Sequence, residues 1–372
     1  MKKVTAVLPA RNCRQELQKC LSALSRSSYI PGIIVVDDGS DDGTRQMILE
    51  QWPHVTYLPL SAHTGFAHAA NAGLRLVQTE YAFLIRPDMK LRPGRKCTAR
   101  LLQAMESDVF CAVPRLCDAV KSGRAGNGRG TEGRGHGRIR GDEGIFFPEL
   151  AVRKRKQGSA AEVIAVPDGC AMYRMRTLEE IGWLDERHFD GLEAFDLSLR
   201  AALAGWKTVR VPGAHIRTAA GKTGEEGAGS AAASGTFRRQ LAAGNGMYVF
   251  YKNIPVSMRI LGFPMFALTD LAQLSSFIRR GELDACRMAA ERGRALCSLE
   301  KDRRAALDEG VSLWPENLSD ASFLGMDQAA EQIYPLFLAE KGEKSLRHFA
   351  RYAHIQRMLA LQLPELVRLL AP

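Results

Sequence analysis

Short unbroken apolar runs recur through the first two thirds of the chain, and helix-like segments separate them. Residues 33–36 are all apolar, as expected of a strand buried on both faces of a parallel sheet. The pattern predicts strands at Val4–Pro9, Ile33–Asp38, Val55–Leu60, Tyr81–Pro87, Phe110–Leu116, Ala171–Arg174 and Thr208–Pro212. It predicts helices at Arg14–Ser25, Thr44–Gln51, Phe66–Gln78, Gly94–Met105 and Leu197–Ala204. Such alternation predicts an α/β fold with a mostly parallel, twisted, Rossmann-like sheet flanked by helices.

Two polar segments interrupt the alternation of predicted strands and helices, and the pattern after them is typical of helices. Residues 121–144 are dense in glycine and arginine and nearly lack apolar side chains, so we predict a mobile loop there. Residues 218–236 are rich in Gly, Ala and Ser and predict a second flexible loop. We therefore predict a nucleotide-binding α/β domain at 1–236 and a C-terminal helical region at 237–372.

Residues 254–278 are strongly apolar, which raises the question of a membrane segment. Charged side chains and Pro264 interrupt the run before it reaches the length of a spanning helix. A helix packed on the domain is favoured, and an interfacial membrane helix next to Arg279 and Arg280 remains the alternative.

Composition narrows the class of protein and of partner. The 372 residues are 46% hydrophobic and 25% charged, which is ordinary for a soluble globular protein. The net charge of +10 raises nucleic acid or an anionic membrane as partners. The arginine-rich stretch lacks the aromatic side chains that stack on bases, so no nucleic acid partner is predicted. The eight cysteines form no CxxC pair, which favours reduced thiols and a cytoplasmic location, with peripheral contact at the inner face of the plasma membrane left open.

Two carboxylates follow the second strand directly. Asp37 and Asp38 precede Gly39 and so lie at the carboxyl end of a buried strand, where open α/β sheets bind ligands. An acidic turn suits ribose hydroxyls, the edge of a nucleobase or a metal ion better than a bare phosphate. The sequence therefore predicts a small-molecule site, most simply for a nucleotide.

Six segments in order resemble the family-2 glycosyltransferases, in particular their bacterial rhamnosyltransferase-like branch. Residues 35–44 (VVDDGSDDGT) are similar to the family's "VVDDGSxDGT" signature. Residues 192–205 resemble the family's "fEDvDLslRar.aG" segment. The other four segments are residues 7–12, 63–73, 168–174 and 181–186.

The resemblance implies a GT-A fold and transfer of a sugar, with inversion, from a nucleoside-diphosphate sugar to a saccharide or lipid-linked saccharide hydroxyl in cell-envelope polysaccharide synthesis. It also implies Mg²⁺ or Mn²⁺ as cofactor, because a diphosphate leaving group develops negative charge. The metal would be held by Asp88. The nucleotide-binding residues that it implies are Pro9, Ala10, Arg11, Asp37, Asp38, Gly39, Ser40, Gly65 and Arg86.

The chain departs from the family pattern at the metal position. Arg86 stands where the first acid or asparagine of the family's metal motif is expected, and a guanidinium cannot ligate a metal. Asp88 is then the sole acid of that motif. Either Asp88 holds the metal together with phosphate and water, or Arg86 itself faces the diphosphate.

The base position also departs, since Ala194 replaces the second acid of the family's pair. Glu193 is our first choice as the catalytic base, with Asp196 one helical turn away on the same face. A structural role for Glu193 at a helix start is the alternative. The departures keep a second hypothesis open, that of a catalytically impaired nucleotide-binding protein on the same fold.

Overall fold

The computed structural model describes residues 4–27, 29–91, 97–118, 161–163, 169–218, 228–253, 271, 274–275 and 277–308. The strands are β1 (Val4–Ala10), β2 (Gly32–Asp37), β3 (Thr56–Pro59), β4 (Tyr81–Ile85), β5 (Met89–Leu91), β6 (Val109–Asp118), β7 (Ala161–Val163), β8 (Cys170–Arg174) and β9 (Lys207–Thr218). The helices are α1 (Arg14–Leu24), α2 (Thr44–Gln51), α3 (Phe66–Leu74), α4 (Cys97–Gln103), α5 (Met175–Ile181), α6 (Glu193–Ala204), α7 (Ala228–Asn253) and α8 (Leu283–Asp308).

The strands form one mixed sheet in the order β3-β2-β1-β4-β8-β6-β9-β5, with β7 on β9. β3, β2, β1 and β4 run parallel, as do β6 and β9. β8 lies between β4 and β6 and runs antiparallel to both, which the sequence pattern did not indicate. The α/β fold is confirmed, and the parallel half brings the carboxyl ends of β1, β2 and β4 to one edge as predicted.

The apolar runs form strands because both faces of the sheet are covered. Along β1, the side chains of Ala6 and Leu8 enter the core cluster that includes α1, α2 and α4. Val7 points to the opposite face, into the cluster formed with α3, α5 and α6. All three side chains are fully buried. This alternation requires apolar residues at successive positions, since neither face of the strand meets water.

Helix α3 packs unusually close to the parallel strands at Gly73. A Cβ atom added there would lie 2.5 Å from Cγ1 of Val7 and 2.7 Å from Cγ2 of Val36. α3 is therefore set against β1 and β2 without space for a side chain at Gly73.

Two predicted boundaries were wrong. α6 begins at Glu193 instead of Leu197, since Leu192 has a positive φ of 67° and its carbonyl accepts the amide of Asp196 at 2.9 Å. The predicted flexible loop at 218–236 is helical from Ala228 onward, where three successive alanines favour helix over the neighbouring glycines and serines. The predicted domain boundary at 236/237 therefore falls inside α7. The predicted loop at 121–144 and the apolar stretch 254–270 lie outside the described residues.

α7 and α8 pack against each other through glycines. A Cβ atom on Gly244 would lie 2.9 Å from the carbonyl oxygen of Ala289, and one on Gly293 would lie 2.9 Å from Sδ of Met247. Among the described residues, no helix has the length and apolar character needed to cross a membrane.

Candidate functional site

The loops that leave β1 and β2 are tied together at the predicted ligand edge. The amide of Asp38 donates to the carbonyl of Ala10 at 2.9 Å, which continues the strand pairing by one residue. The hydroxyl of Ser40 accepts the amide of Asn12 at 3.1 Å. The predicted binding residues Pro9 and Ala10 are buried beneath this turn, whereas Arg11 is exposed above it.

Asp37 holds the turn at the carboxyl end of β2 in place. Its carboxylate accepts the hydroxyl of Tyr57 at 2.6 Å and the amide of Ser40 at 2.9 Å, and the residue is only 3% exposed. Burial, followed by the hydrogen bond to Asp37, raises the pKa of Tyr57 well above its usual value. The aspartate thus fixes the acidic turn to β3.

Asp38 organises the segment that enters α3. Its carboxylate accepts the amide and the hydroxyl of Thr64 at 2.7 and 2.8 Å, and the amide of Gly65 at 3.1 Å. Nδ1 of His63 lies 2.7 Å from the second oxygen. These contacts use most of the acceptor capacity of a carboxylate. The placement therefore supports Asp38 as a residue that shapes the site through His63, Thr64 and Gly65.

The glycines of the site allow close approach between loops. Gly39 has φ of 74°, and a Cβ atom there would lie 3.1 Å from the backbone at His63. Gly65 has φ of 92°, and its Cβ would lie 2.6 Å from the ring of Phe189. The ring of His63 meets that of Phe189 edge-on, with 5.0 Å between centroids. Residues 63–65 and the 186–191 segment thus form one wall.

Arg86 lies at the end of β4 and faces two acids. Its guanidinium donates to the carboxylate of Asp190, and Nη2 lies 3.9 Å from Oε1 of Glu193. The guanidinium carbon is 3.8 Å from the centroid of the Phe66 ring, a cation–π distance. Burial by itself lowers the pKa of Arg86, but the charges of Asp190 and Glu193 outweigh it and the pKa is raised, so the side chain stays charged.

The position of Arg86 is also fixed by Gly169. The amide of Arg86 donates to the carbonyl of Gly169 at 2.7 Å, and a Cβ atom on that glycine would lie 2.4 Å from the arginine side chain. None of the described residues offers a hydrogen-bond acceptor to the buried Nε of Arg86. A buried guanidinium N–H without an acceptor is uncommon and favours an anionic ligand.

The acids of α6 have different surroundings. Glu193 is fully buried beside Arg86, and the neighbouring Ala194 is 3% exposed. Asp196 is fully buried too, but its carboxylate faces away from Arg86, accepting Nε of Arg200 at 2.9 Å and Nζ of Lys252 at 3.0 Å. The structure therefore brings Glu193, and not Asp196, to the predicted site.

A buried charged cluster joins α6 to α7. Nζ of Lys252 donates to the carboxylates of Asp185 and Asp196 at 2.8 and 3.0 Å, and the amide of Asn253 donates to Asp196 at 2.8 Å. Burial alone raises the pKa of Asp196, but the charges of Lys252 and Arg200 lower it well below its usual range. The carboxylates of Asp185 and Asp196, whose pKa values are both lowered, are thus ionised at neutral pH.

The described residues contain one group of side chains that could hold a metal ion. Their single group of three close potential ligands is Asp185, His188 and Asp196, where the ammonium of Lys252 already bridges the two carboxylates. At the predicted metal position, Asp88 is half-buried. The pKa of Cys20 is raised to about 12, first by the burial of the thiol and then by the charge of Asp88. The guanidinium of Arg86 supplies the positive charge at that strand end.

Several residues of the site gave no signal in the sequence. Nδ2 of Asn245 donates to the carbonyls of His188 and Gly191 at 2.9 and 2.8 Å, so α7 braces the segment that carries Asp190. Nη2 of Arg292 on α8 donates to the carbonyl of Arg187 at 2.8 Å. These residues are isolated polar positions in helices without a motif, and only their tertiary neighbours identify them.

Part of the chain matches a known protein family. Residues 5–182 match the model described as "Glycosyl transferase family 2". Over this stretch, which is just under half of the chain, the protein is similar to glycosyl transferase family 2. The family domain covers β1 through α5, and so includes the strand ends with Asp37, Asp38 and Arg86, while Glu193 lies beyond it.

One relative is the N-acetylglucosaminyl-diphospho-decaprenol L-rhamnosyltransferase of Mycobacterium tuberculosis, present in strains CDC 1551 / Oshkosh and ATCC 25618 / H37Rv. It is 28% identical to this glycosyltransferase over 232 residues, which cover 54% of this chain and 70% of the relative.

One solved structure supports the GT-A fold, and a second is given for comparison. Mannosyltransferase PcManGT from Pyrobaculum calidifontis, solved with GDP-Man and Mn²⁺, is matched at 18% identity and a TM-score of 0.50 over 92% of this chain and 89% of that one. GalNAc-T7, solved with UDP, GalNAc and Mn²⁺, is matched at 15% identity and a TM-score of 0.48 over 68% of this chain. The chain spans about half of that protein, 48% of its length.

Proposed function

We propose that this glycosyltransferase moves an L-rhamnosyl or similar sugar, with inversion, from a nucleoside diphosphate to a hydroxyl of a lipid-linked saccharide in cell-envelope polysaccharide synthesis. The observation that supports it most is Arg86, whose charged guanidinium lies at the ligand edge of the stretch that matches family 2. The name of the mycobacterial relative supports the sugar and the class of acceptor.

The nucleotide is proposed to lie over the tips of β1 and β2. Arg11 is exposed beside the turn of Asp37 to Ser40, and the exposed edge of His63 lines the opposite side. The diphosphate would then reach the end of β4, where Arg86 meets its developing charge. In this proposal Arg86 takes the role for which we predicted Mg²⁺ or Mn²⁺ bound at Asp88.

A screen of donors tests the proposal. UDP-, dTDP- and GDP-sugars, including the three L-rhamnosides, are added to the protein, and both the melting temperature and released nucleotide are measured with 5 mM Mn²⁺ or with EDTA as two arms. We expect one nucleotide class to raise the melting temperature and to be turned over in both arms. No stabilisation and no turnover across the panel would contradict the proposal.

The second candidate is a nucleotide-binding protein without turnover on the same fold. Ala194 favours it, because a methyl group stands where the family pattern has its second acid. Stabilisation by a nucleotide with no release of nucleotide from any sugar donor, even with a lipid-linked N-acetylglucosaminyl diphosphate as acceptor, would identify this second function.

Peripheral membrane contact is proposed through the segment before α8. Leu271, Leu274 and Ile278 are 54%, 40% and 56% exposed, and Arg279 and Arg280 follow them. Their spacing places the apolar side chains on one helical face, and the arginines would face anionic lipid headgroups. We expect co-sedimentation with phosphatidylglycerol vesicles that decreases at least fivefold for Leu274→Glu/Ile278→Glu, whereas binding that is equal for both proteins would contradict it.

A further inference from the structure

The residue at the family's base position in this chain has no group that can accept a proton. Another group must therefore accept the proton of the acceptor hydroxyl if sugar transfer occurs. Ala194 offers only a methyl group, and it is 3% exposed. Glu193 is the adjacent acid, but its side chain has 0% exposure and lies beneath Arg86. A base has to come within hydrogen-bond reach of the hydroxyl that it deprotonates. A fully enclosed carboxylate does not meet that condition.

Asp190 meets it. Its side chain is 22% exposed, in contact with the same guanidinium that Glu193 faces. Gly191 follows with φ of 91°, and a Cβ atom built there would have no neighbour within 4 Å. Among the described residues, the space next to Gly191 is therefore open, and the carboxylate of Asp190 lies at the cation that we assign to the diphosphate.

The backbone under Asp190 is held firmly. Asn245 on α7 donates to the carbonyls of His188, Asp190 and Gly191 at 2.9, 3.3 and 2.8 Å. The C-terminal helices thus fix the segment that carries this acid. A rigid backbone with a partly exposed carboxylate is the arrangement that a base needs, since its position is set before the substrate arrives.

From these contacts we infer that Asp190 is the catalytic base and that its ion pair with Arg86 exchanges when the donor binds. This inference rests on the proposed function. The diphosphate takes over Arg86, and Asp190 turns to the acceptor. The acceptor oxygen forms its bond to the anomeric carbon while the bond from that carbon to the diphosphate oxygen breaks. The electron pair leaves with the diphosphate, and the hydroxyl proton passes to the carboxylate of Asp190, which later loses it to water.

The exchange makes an unusual prediction for Asp190→Asn. Because the aspartate and the diphosphate compete for Arg86, the neutral variant should bind UDP, dTDP or GDP as tightly as wild type or up to about tenfold more tightly. Its kcat should fall by about 10²–10⁴, the usual contribution of a general base. A purely structural acid would instead lose binding and turnover together.

The test measures nucleotide Kd by calorimetry and kcat with UDP-, dTDP- and GDP-linked L-rhamnose, using N-acetylglucosaminyl-diphospho-decaprenol as acceptor. Asp190→Asn is compared with Glu193→Gln, which removes the buried acid on the other side of Arg86, and with Asp108→Asn, a matched control in an exposed ion pair with Lys207 that should keep the wild-type kcat. Asp190→Ala is assayed with sodium formate and with sodium chloride at equal concentration. Formate should restore at least tenfold in kcat and chloride should not.

The outcomes separate the two ideas. No turnover by the wild-type protein would overturn the proposed function and this inference with it. Wild-type turnover with Asp190→Asn within threefold of it, or loss confined to Glu193→Gln, would overturn the inference alone. Should Asp190→Asn fail to fold, Asp190→Glu serves in its place. If the melting temperature and the kcat of Asp190→Glu both stay close to those of wild type, Asp190 is supported as the catalytic base. If Asp190→Glu folds but loses nucleotide binding, the inference is overturned.

Discussion

Arg86 is the residue on which donor binding depends in this proposal. Its guanidinium packs on the ring of Phe66 and faces Asp190 and Glu193, so it is held without a metal. A fixed guanidinium can neutralise the charge that develops on a leaving diphosphate in the way a divalent cation does elsewhere.

We expect Arg86→Ala to lower kcat/KM by about 10³ or more, because the charge facing the leaving group is lost and the acids Asp190 and Glu193 are left unbalanced. Arg86→Lys keeps the charge but not the planar fork, and should retain part of the activity. Initial rates measured with EDTA should stay within about twofold of those with Mn²⁺. Activity that requires Mn²⁺ and persists in Arg86→Ala would show that a metal, and not the arginine, serves the diphosphate.

At the element scale, α7 is joined to the glycosyltransferase domain by the buried charges around Lys252. Removing a single partner from a buried ion pair costs about 3–5 kcal/mol, because the remaining charges stay buried without compensation. Lys252→Met would leave Asp185 and Asp196 without the ammonium that bridges them, and Arg200 would still pair with Asp196.

We therefore expect Lys252→Met to lower the free energy of unfolding by about 3–5 kcal/mol in urea denaturation. Lys301 provides a matched control, because it lies on α8 and is exposed. Lys301→Met should change stability by less than about 0.5 kcal/mol. If the two variants unfolded at the same urea concentration, the cluster would contribute little to holding α7 on the domain.

The helices and strands also show how much of the fold could be predicted from the sequence. The runs around Ile33–Asp38 and Val4–Pro9 identified β1, β2 and the acidic edge, because a strand buried on both faces leaves a continuous apolar signal. β8 could not be recognised as antiparallel, since strand direction depends on partners distant in the chain. Asn245 and Lys252 were missed for the same reason, because nothing in their local sequence records which loop each one will meet.

At the scale of the whole molecule, the burial of His188 among charged side chains should make the stability of the fold depend on pH. His188 is fully buried, lies below Tyr248 with 5.5 Å between ring centroids, and joins the segment 186–191 to α7. Burial is the largest influence and lowers the pKa of His188 from its usual 6.5, with the charges of Lys252 and Arg292 acting in the same direction and Asp185 and Asp196 opposing it.

A lowered pKa in the folded state means that the unfolded chain binds the proton more readily. The stabilisation is therefore complete above about pH 6.5 and is lost as the pH falls from there through the folded-state pKa. We expect the melting temperature to decrease between pH 7 and pH 5, and His188→Gln, which cannot take up the proton, to show a flatter decrease. His54, which is exposed, supplies the control variant His54→Gln, whose pH profile should follow that of wild type. Parallel profiles for His188→Gln and wild type would mean that other groups carry the acid sensitivity of the fold.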